Sequence, residues 1–241
     1  MPILTFHHIG HYTEGANPHE RGNWIEPDLF RQQLLWLKAH NYQCIKPADL
    51  LAPLTTGQMK TLPQHWALLT FDDGWKDNAT QALPILRELK MPATLFLAVG
   101  RVGTEQMMSS SDVEQWIDSG CNIESHTCTH PHLDELPHEK VMEELTRSRD
   151  ELKRLFGVES KWICYPYGHF NQAIVDAVQT AGYDGAFSTM RDNRFLPRQR
   201  YYLPRVQVMN DTQPQRLAYM DSLLYHWLHR RKNIRRYGTF A

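Results

Sequence analysis

The chain has 241 residues, enough for one large domain with a sizeable core. Its 26 Lys and Arg nearly cancel its 27 Asp and Glu, which excludes a general nucleic-acid binder built on a basic excess. The four cysteines, Cys44, Cys121, Cys128 and Cys164, contain no Cys-x-x-Cys pair and are too few for a disulfide scaffold, so they read as small buried thiols in a reducing compartment.

In chain order, Ile3–His7 reads as a strand and Pro27–Ala39 as a helix, with Leu29, Phe30, Leu34 and Leu37 on one face and a proline at its start. Tyr42–Ile45 is a short strand. Trp66–Phe71 is a strongly apolar one that runs straight into Asp72. A helix over Asn78–Lys90 precedes a strand at Ala93–Val99, and Ser110–Ser119 is a short helix stopped by Gly120. Asn122–Ser125 leads as a strand into His126. Glu135–Phe156 is a long helix ended by Gly157, Trp162–Tyr165 a strand, and Gln172–Ala181 a helix ended by Gly182. Strands at Asp184–Ser188 and Leu203–Val208 and a helix at Thr212–His229 complete the set. The segments Gly10–Asn23 and Phe195–Tyr202 read as the most mobile loops.

Strand–helix alternation with nearly continuous apolar strands predicts an α/β fold, a parallel sheet covered by helices. Seven or eight strands in one domain favour a barrel over an open sheet. The polar motifs directly follow strands, which in a parallel barrel gathers them at one mouth. No apolar run reaches the roughly 18 residues of a membrane span. The opening Met-Pro-Ile-Leu-Thr-Phe-His-His lacks a basic segment followed by an apolar one, so a cytoplasmic location is expected.

Two strings carry chemistry. Asp72-Asp73-Gly74 offers adjacent carboxylates at a strand end; in a desolvated pocket both stay charged only if a cation neutralises one. A metal on Asp73 does so and leaves Asp72 free to take a proton. By itself the string is also good chemistry for a solvated turn. His126 and His130 are four residues apart, and Pro131 disfavours a helix there, so a loop after a strand is expected. An incidental pair is the plain alternative in a chain with 13 histidines. One carboxylate and two imidazoles suit Zn²⁺ or a similar ion with a position left for water, and the second carboxylate is the base that such a water needs. Cys128 lies between the histidines but is not needed as a ligand, and His132 reads as a supporting residue.

Thr70-Phe71-Asp72-Asp73-Gly74 and Ser125-His126-Thr127, with His130-Pro131 and Leu133, resemble the first two motifs of the NodB-type polysaccharide deacetylases, carbohydrate esterase family 4. Tyr165-Pro166-Tyr167-Gly168 resembles the third, and the similarity runs from about residue 2 to about residue 208. The resemblance implies a distorted (β/α)7 barrel, the NodB-homology domain, over residues 1–210. Residues 211–241 would form a helix packed on the barrel and a basic tail. Asp72 would be the base, and Asp73, His126 and His130 would hold a divalent metal, Zn²⁺ first, with Co²⁺, Ni²⁺ or Mn²⁺ as alternatives. The Tyr167 N–H would help hold the oxyanion, and Trp75 and Tyr167 would stack on a sugar ring.

Two departures stand out. Cys164 occupies the position of the family's motif arginine, and no late Leu-x-His motif supplies a general acid. The poly-N-acetylglucosamine branch, which this chain resembles most, carries its acid as an aromatic–His pair on the first strand. Phe6-His7 matches that pair, with His8 as the rival. The same branch has a late Leu-Pro-Arg segment. Here it is Leu203-Pro204-Arg205, so Arg205 is the replacement expected beside Asp72. The activity implied is removal of acetyl groups from N-acetylated amino sugars in a polysaccharide, oligosaccharide or glycan precursor. An O-acetyl esterase, a non-sugar amidohydrolase and an impaired carbohydrate-binding protein are the other readings, the last kept open by Cys164. The segment Arg230-Arg231-Lys232-Asn233-Ile234-Arg235-Arg236 has five cations and no acid, which suits weak contact with an anionic membrane surface or, more plainly, a solvated helix end.

Overall fold

Every residue of the strand Trp66–Asp73 is buried, as a strand covered on both faces must be. The computed structural model that shows this describes residues 2–12 and 18–240. Along the chain the strands are β1 (Ile3–Phe6), β2 (His8–Ile9), β3 (Trp24–Ile25), β4 (Gln43–Cys44), β5 (Trp66–Asp73), β6 (Thr94–Leu97), β7 (Asn122–Ser125), β8 (Trp162–Cys164), β9 (Gly185–Arg191) and β10 (Leu203–Gln207). The α-helices are α1 (Pro27–Ala39), α2 (Pro47–Thr56), α3 (Leu83–Leu89), α4 (Ser110–Asp118), α5 (His138–Phe156), α6 (Gln172–Thr180), α7 (Arg216–Met220) and α8 (Leu223–Tyr237).

Seven parallel strands close a ring in the order β1-β10-β9-β8-β7-β6-β5, and β5 returns to β1 with Ile3 opposite Leu68 and Phe6 opposite Phe71. The fold is therefore the distorted (β/α)7 barrel. The strand β4 adds to the outer edge of β5, and β2 pairs with β3 in a small separate ribbon. Period-two alternation sorts the side chains. Ile3, Leu68, Phe96, Trp162, Phe187 and Leu203 fill the interior, where Leu50 and Leu54 of α2 join them. Leu69, Phe71, Leu95, Leu97 and Ile123 point outward against α1, α3 and α4. Ile163 and Ala186 meet α5 and α6. Further along the inward-facing rows stand polar residues: Thr70 and Asp72 on β5, and Arg205 on β10.

Most elements fall where the periodicity places them; the short β2–β3 ribbon was not anticipated, and three further segments differ. The helix α2 is not evident in the sequence because Pro53 sits inside it, yet Pro53 is buried in its packed face and Asp49 caps the start by accepting from the Lys46 N–H. Asn78–Lys90 begins as a π-helical turn, Asn78–Ala82, before α3. The single helix expected over Thr212–His229 is two helices. Ser222 breaks it by capping α8 through the Tyr225 N–H, and Asn193 Nδ2 fixes the corner by donating to the carbonyls of Met220 and Ser222, 2.8 Å each. The α8 helix then runs on to Tyr237, so the basic segment lies within it. Of the loops expected to move, 18–23 and 197–199 are short 3-10 turns, while 13–17 lie outside the described residues.

Candidate active site

β5 delivers Asp72 and Asp73 to the barrel mouth. Asp73 has a φ of +76°, as do, nearly, Thr127 and His130 at +64° and Tyr167 at +58°. A non-glycine residue in this left-handed region costs about 1–3 kcal/mol. Four such residues in the three strand-end loops mark where the fold holds backbone against its preference to aim side chains. Gly168, at φ +69°, completes the third loop; a Cβ there would lie 1.8 Å from Thr189 Oγ1, so no other residue fits.

Asp73, His126 and His130 meet. Asp73 Oδ1 lies 3.4 Å from His126 Nε2 and 3.1 Å from His130 Nε2. Ligands bound at 2.0–2.1 Å to a tetrahedral ion stand about 3.3 Å apart, so this spacing fits one divalent cation. Two of the three are aimed by a neighbour. Cys164 O accepts from His126 Nδ1 at 2.8 Å, which fixes the tautomer that frees Nε2, and Trp75 Nε1 donates to Asp73 Oδ2 at 2.9 Å. The indole of Trp75 also packs on His8, 4.3 Å between ring centres. Trp75 thus reaches the metal-type group through its nitrogen. Burial opposes charge on Asp73, but its two imidazole partners hold the carboxyl well below the usual range. Burial likewise opposes charge on both histidines. Around His126 the thiol of Cys164 and the two aspartates reverse this and raise it, whereas His130 stays lowered.

Asp72 is held differently. Arg205, fully buried, reaches it from β10 with two donors, Nη1 to Oδ1 at 2.7 Å and Nη2 to Oδ2 at 2.6 Å. Arg205 also donates to Ser188 O, Thr70 Oγ1 and, at 3.0 Å, Cys164 Sγ. Burial would push the Asp72 carboxyl up, and the guanidinium more than offsets it, so the carboxylate stays ionised. Asp72, His126 and Cys164 also approach one another closely enough to share an ion. That set is the poorer one, because Asp72 is already engaged by Arg205, and burial drives the Cys164 thiol toward its neutral form. Cys128 belongs to the apolar core outside the ring and takes no part.

The two N-terminal histidines separate cleanly. His7 Nε2 stands 4.0 Å from Asp72 Oδ2 and is part-exposed to the cavity. His8 is buried. Its Nδ1 is 2.6 Å from Asp77 Oδ2 and its ring stacks on Trp24 at 4.0 Å. The cavity, about 310 Å³, also takes in Arg101 and Tyr167. His132 stacks on the Tyr167 ring at 3.9 Å, and the Tyr167 side chain is 49% exposed. Asp77, which orients His8 and also accepts from the Ile9 N–H, was not singled out in the sequence, nor was Arg101. Both sit within four residues of a strand end, the one signal that marks them.

A family model described as polysaccharide deacetylase matches residues 59–186, just over half of the chain and the stretch that holds all three strand-end motifs. The chain belongs to the polysaccharide deacetylase family. The resemblance to the NodB-type, carbohydrate esterase family 4 enzymes thus holds. Among curated relatives, the poly-beta-1,6-N-acetyl-D-glucosamine N-deacetylase of Staphylococcus aureus (strain MRSA252) is 28% identical over 202 residues, covering 78% of this chain and 68% of that protein. Two solved structures share the fold. Streptococcus pyogenes deacetylase PplD in complex with acetate has a TM-score of 0.83 at 24% identity, covering 92% of this chain and 98% of that one. IcaB from Ammonifex degensii has a TM-score of 0.76 at 24% identity, covering 92% and 97%.

Proposed function

We propose that this polysaccharide deacetylase is metal-dependent and removes acetyl groups from N-acetylated amino sugars of a glycan, leaving the free amine. The observation that carries the reading is a carboxylate clamped by a guanidinium, Asp72–Arg205, beside the Asp73, His126 and His130 group in one cavity. Asp73, His126 and His130 would hold the ion, and Zn²⁺ there supplies Lewis acidity toward the acetyl carbonyl and the attacking water. Asp72 takes the proton from that water. Arg205 keeps it ionised and fixes both of its oxygens for the task. The Tyr167 N–H is the donor for the carbonyl oxygen as it gains charge. His7, close to Asp72 and open to the cavity, returns a proton to the leaving nitrogen. An amine is a far worse leaving group than an alcohol, so an amide needs this acid and an ester does not. His8, tied to Asp77 and Trp24, orients the wall beside it. The exposed ring of Tyr167 is a platform for a sugar face, while Trp75 serves Asp73.

The relative that acts on poly-N-acetylglucosamine supports the substrate class. The bidentate Arg205 supports turnover over the binder reading, since it supplies Asp72 with the guanidinium that Cys164 lacks. Acetate release from N-acetylglucosamine oligomers and from an acetylated ester, measured after chelation and again after adding Zn²⁺, tests the proposal. Activity should return with Zn²⁺, and Asp72→Asn should lower it about 10³-fold with the bound metal retained. His7→Ala should impair the amide far more than the ester. Near-normal turnover by Asp72→Asn, or an effect confined to His8→Ala, would overturn these assignments.

A further inference from the structure

Among the described residues, nine large apolar side chains are exposed, and five of them lie on α8: Leu223, Leu224, Trp227, Leu228 and Ile234. At about 100° per residue these five share one side of the helix, together with Arg231 and Arg235. The opposite side is the one that packs. Tyr225 and Asn233 are buried, Asn233 Nδ2 donates to Arg191 O, and His226 lies 2.8 Å from Asp192. The outward side therefore does not serve the barrel. A helix stabilised only by its inner contacts would gain solubility from polar residues there. This one carries leucines and a tryptophan instead, with the Arg231 guanidinium 4.7 Å above the indole.

Charge decides the partner. From Leu223 to Tyr237 the helix has Arg230, Arg231, Lys232, Arg235 and Arg236 and no acid. The basic ground continues beyond the helix. A cavity of about 510 Å³ between α8 and the segment after β9 is lined by Arg194, Arg198 and Arg230, by the apolar Phe195 and Leu196, and by one acid, Asp192, which His226 engages at 2.8 Å. A second copy of the same face would set cations against cations. An anionic lipid surface accepts both halves of the pattern, apolar side chains in the acyl boundary and Arg and Lys at the headgroups. Trp and Arg are side chains that settle at that depth.

We propose that the outward face of α8 docks the enzyme on an anionic membrane surface, lying in its plane. The far end of α8 reaches the catalytic side of the barrel, because Tyr237 and, just beyond it, Phe240 pack on Phe170, two residues after Gly168. A docked helix thus fixes the third motif loop at a set height above the lipid.

Co-sedimentation with phosphatidylcholine vesicles, with and without phosphatidylglycerol, tests this on the full chain. Binding is expected only with phosphatidylglycerol and should weaken as salt rises. The double variant Leu224→Glu/Trp227→Glu should lose binding more than tenfold. Arg231→Gln/Lys232→Gln/Arg235→Gln should lose roughly a hundredfold, at about fivefold per cation. Both variants should keep wild-type acetate release from a soluble oligosaccharide, which separates lost docking from lost folding and from any fault in the catalytic assignment. Equal binding to both vesicle types, no binding by the wild type, or a concentration-dependent dimer that Leu224→Glu/Trp227→Glu dissolves would each overturn the proposal.

Discussion

Cys164 occupies the place from which a guanidinium would be expected to reach Asp72, and Arg205 reaches it from another strand. A sulfur suits the gap. It is small enough to let the guanidinium pass, and at 3.0 Å from Arg205 Nη2 it still accepts a weak contact. The site needs the fork as much as the charge, since two parallel bonds fix both oxygens of the base. Arg205→Lys should therefore act as a severe change. Losing one charge-assisted bond of about 1.5–3 kcal/mol should lower kcat by about 10–100-fold, with KM and metal content nearly unchanged. Steady-state kinetics beside metal analysis would check it; an unaltered kcat would mean that the fork is dispensable. At this scale the sequence was most legible where side chains lie close along the chain, as in Asp72-Asp73 and His126 with His130. It was least legible where a role depends on a partner far along the chain, as with Asp77 behind His8, or on a local turn that spacing does not display, as with Trp75 folded back on Asp73.

Between elements, Glu124 does similar work without touching the chemistry. From β7 its Oε2 accepts from Ser160 Oγ, Lys161 N and Trp162 N, and so holds the entry into β8. Burial raises its carboxyl from the ordinary 4.5 to about 7 in spite of those three donors. A folded-state value above the unfolded one means that the folded chain binds the extra proton. The stabilisation is full below pH 4.5 and is lost as pH rises through about 7. The difference corresponds to about 3 kcal/mol. Glu124→Gln should remove this slope, so urea unfolding at pH 5 and pH 8 should show the wild type losing more stability than the variant between the two. Parallel behaviour of the two proteins would refute it. Elements with clean periodicity could be read directly, α1 and β7 residue for residue. The helix α2 could not, because an internal proline is tolerated only where the packing already defines the turn, and the break before α8 could not, because Asn193 fixes that corner from far along the chain.

For the whole molecule, a ring of parallel strands could be anticipated from apolar runs that each end in polar motifs; the closure of β5 on β1 is a fact of three dimensions that no single run displays. The Asp73, His126 and His130 group joins β5 to the loop after β7, so an ion bound there ties segments about fifty residues apart in the chain across β6. Zn²⁺ at about a thousand times its dissociation constant should add about 4 kcal/mol, or roughly 10 °C in melting temperature for a chain of this size. Thermal melts with Zn²⁺ and with chelator would show it, and His126→Ala should erase the difference; equal melts in wild-type protein would argue against a bound ion. The seam of the ring has a consequence for synthesis. The metal-type residues and the third motif are all made by Gly168, but Arg205 arrives only with the last strand, which must then pair with the first, the strand that leads into His7. A nascent chain can thus assemble the metal-type group before Asp72 has its guanidinium. The Asp72–Arg205 clamp belongs to the finished circle, not to any part of it.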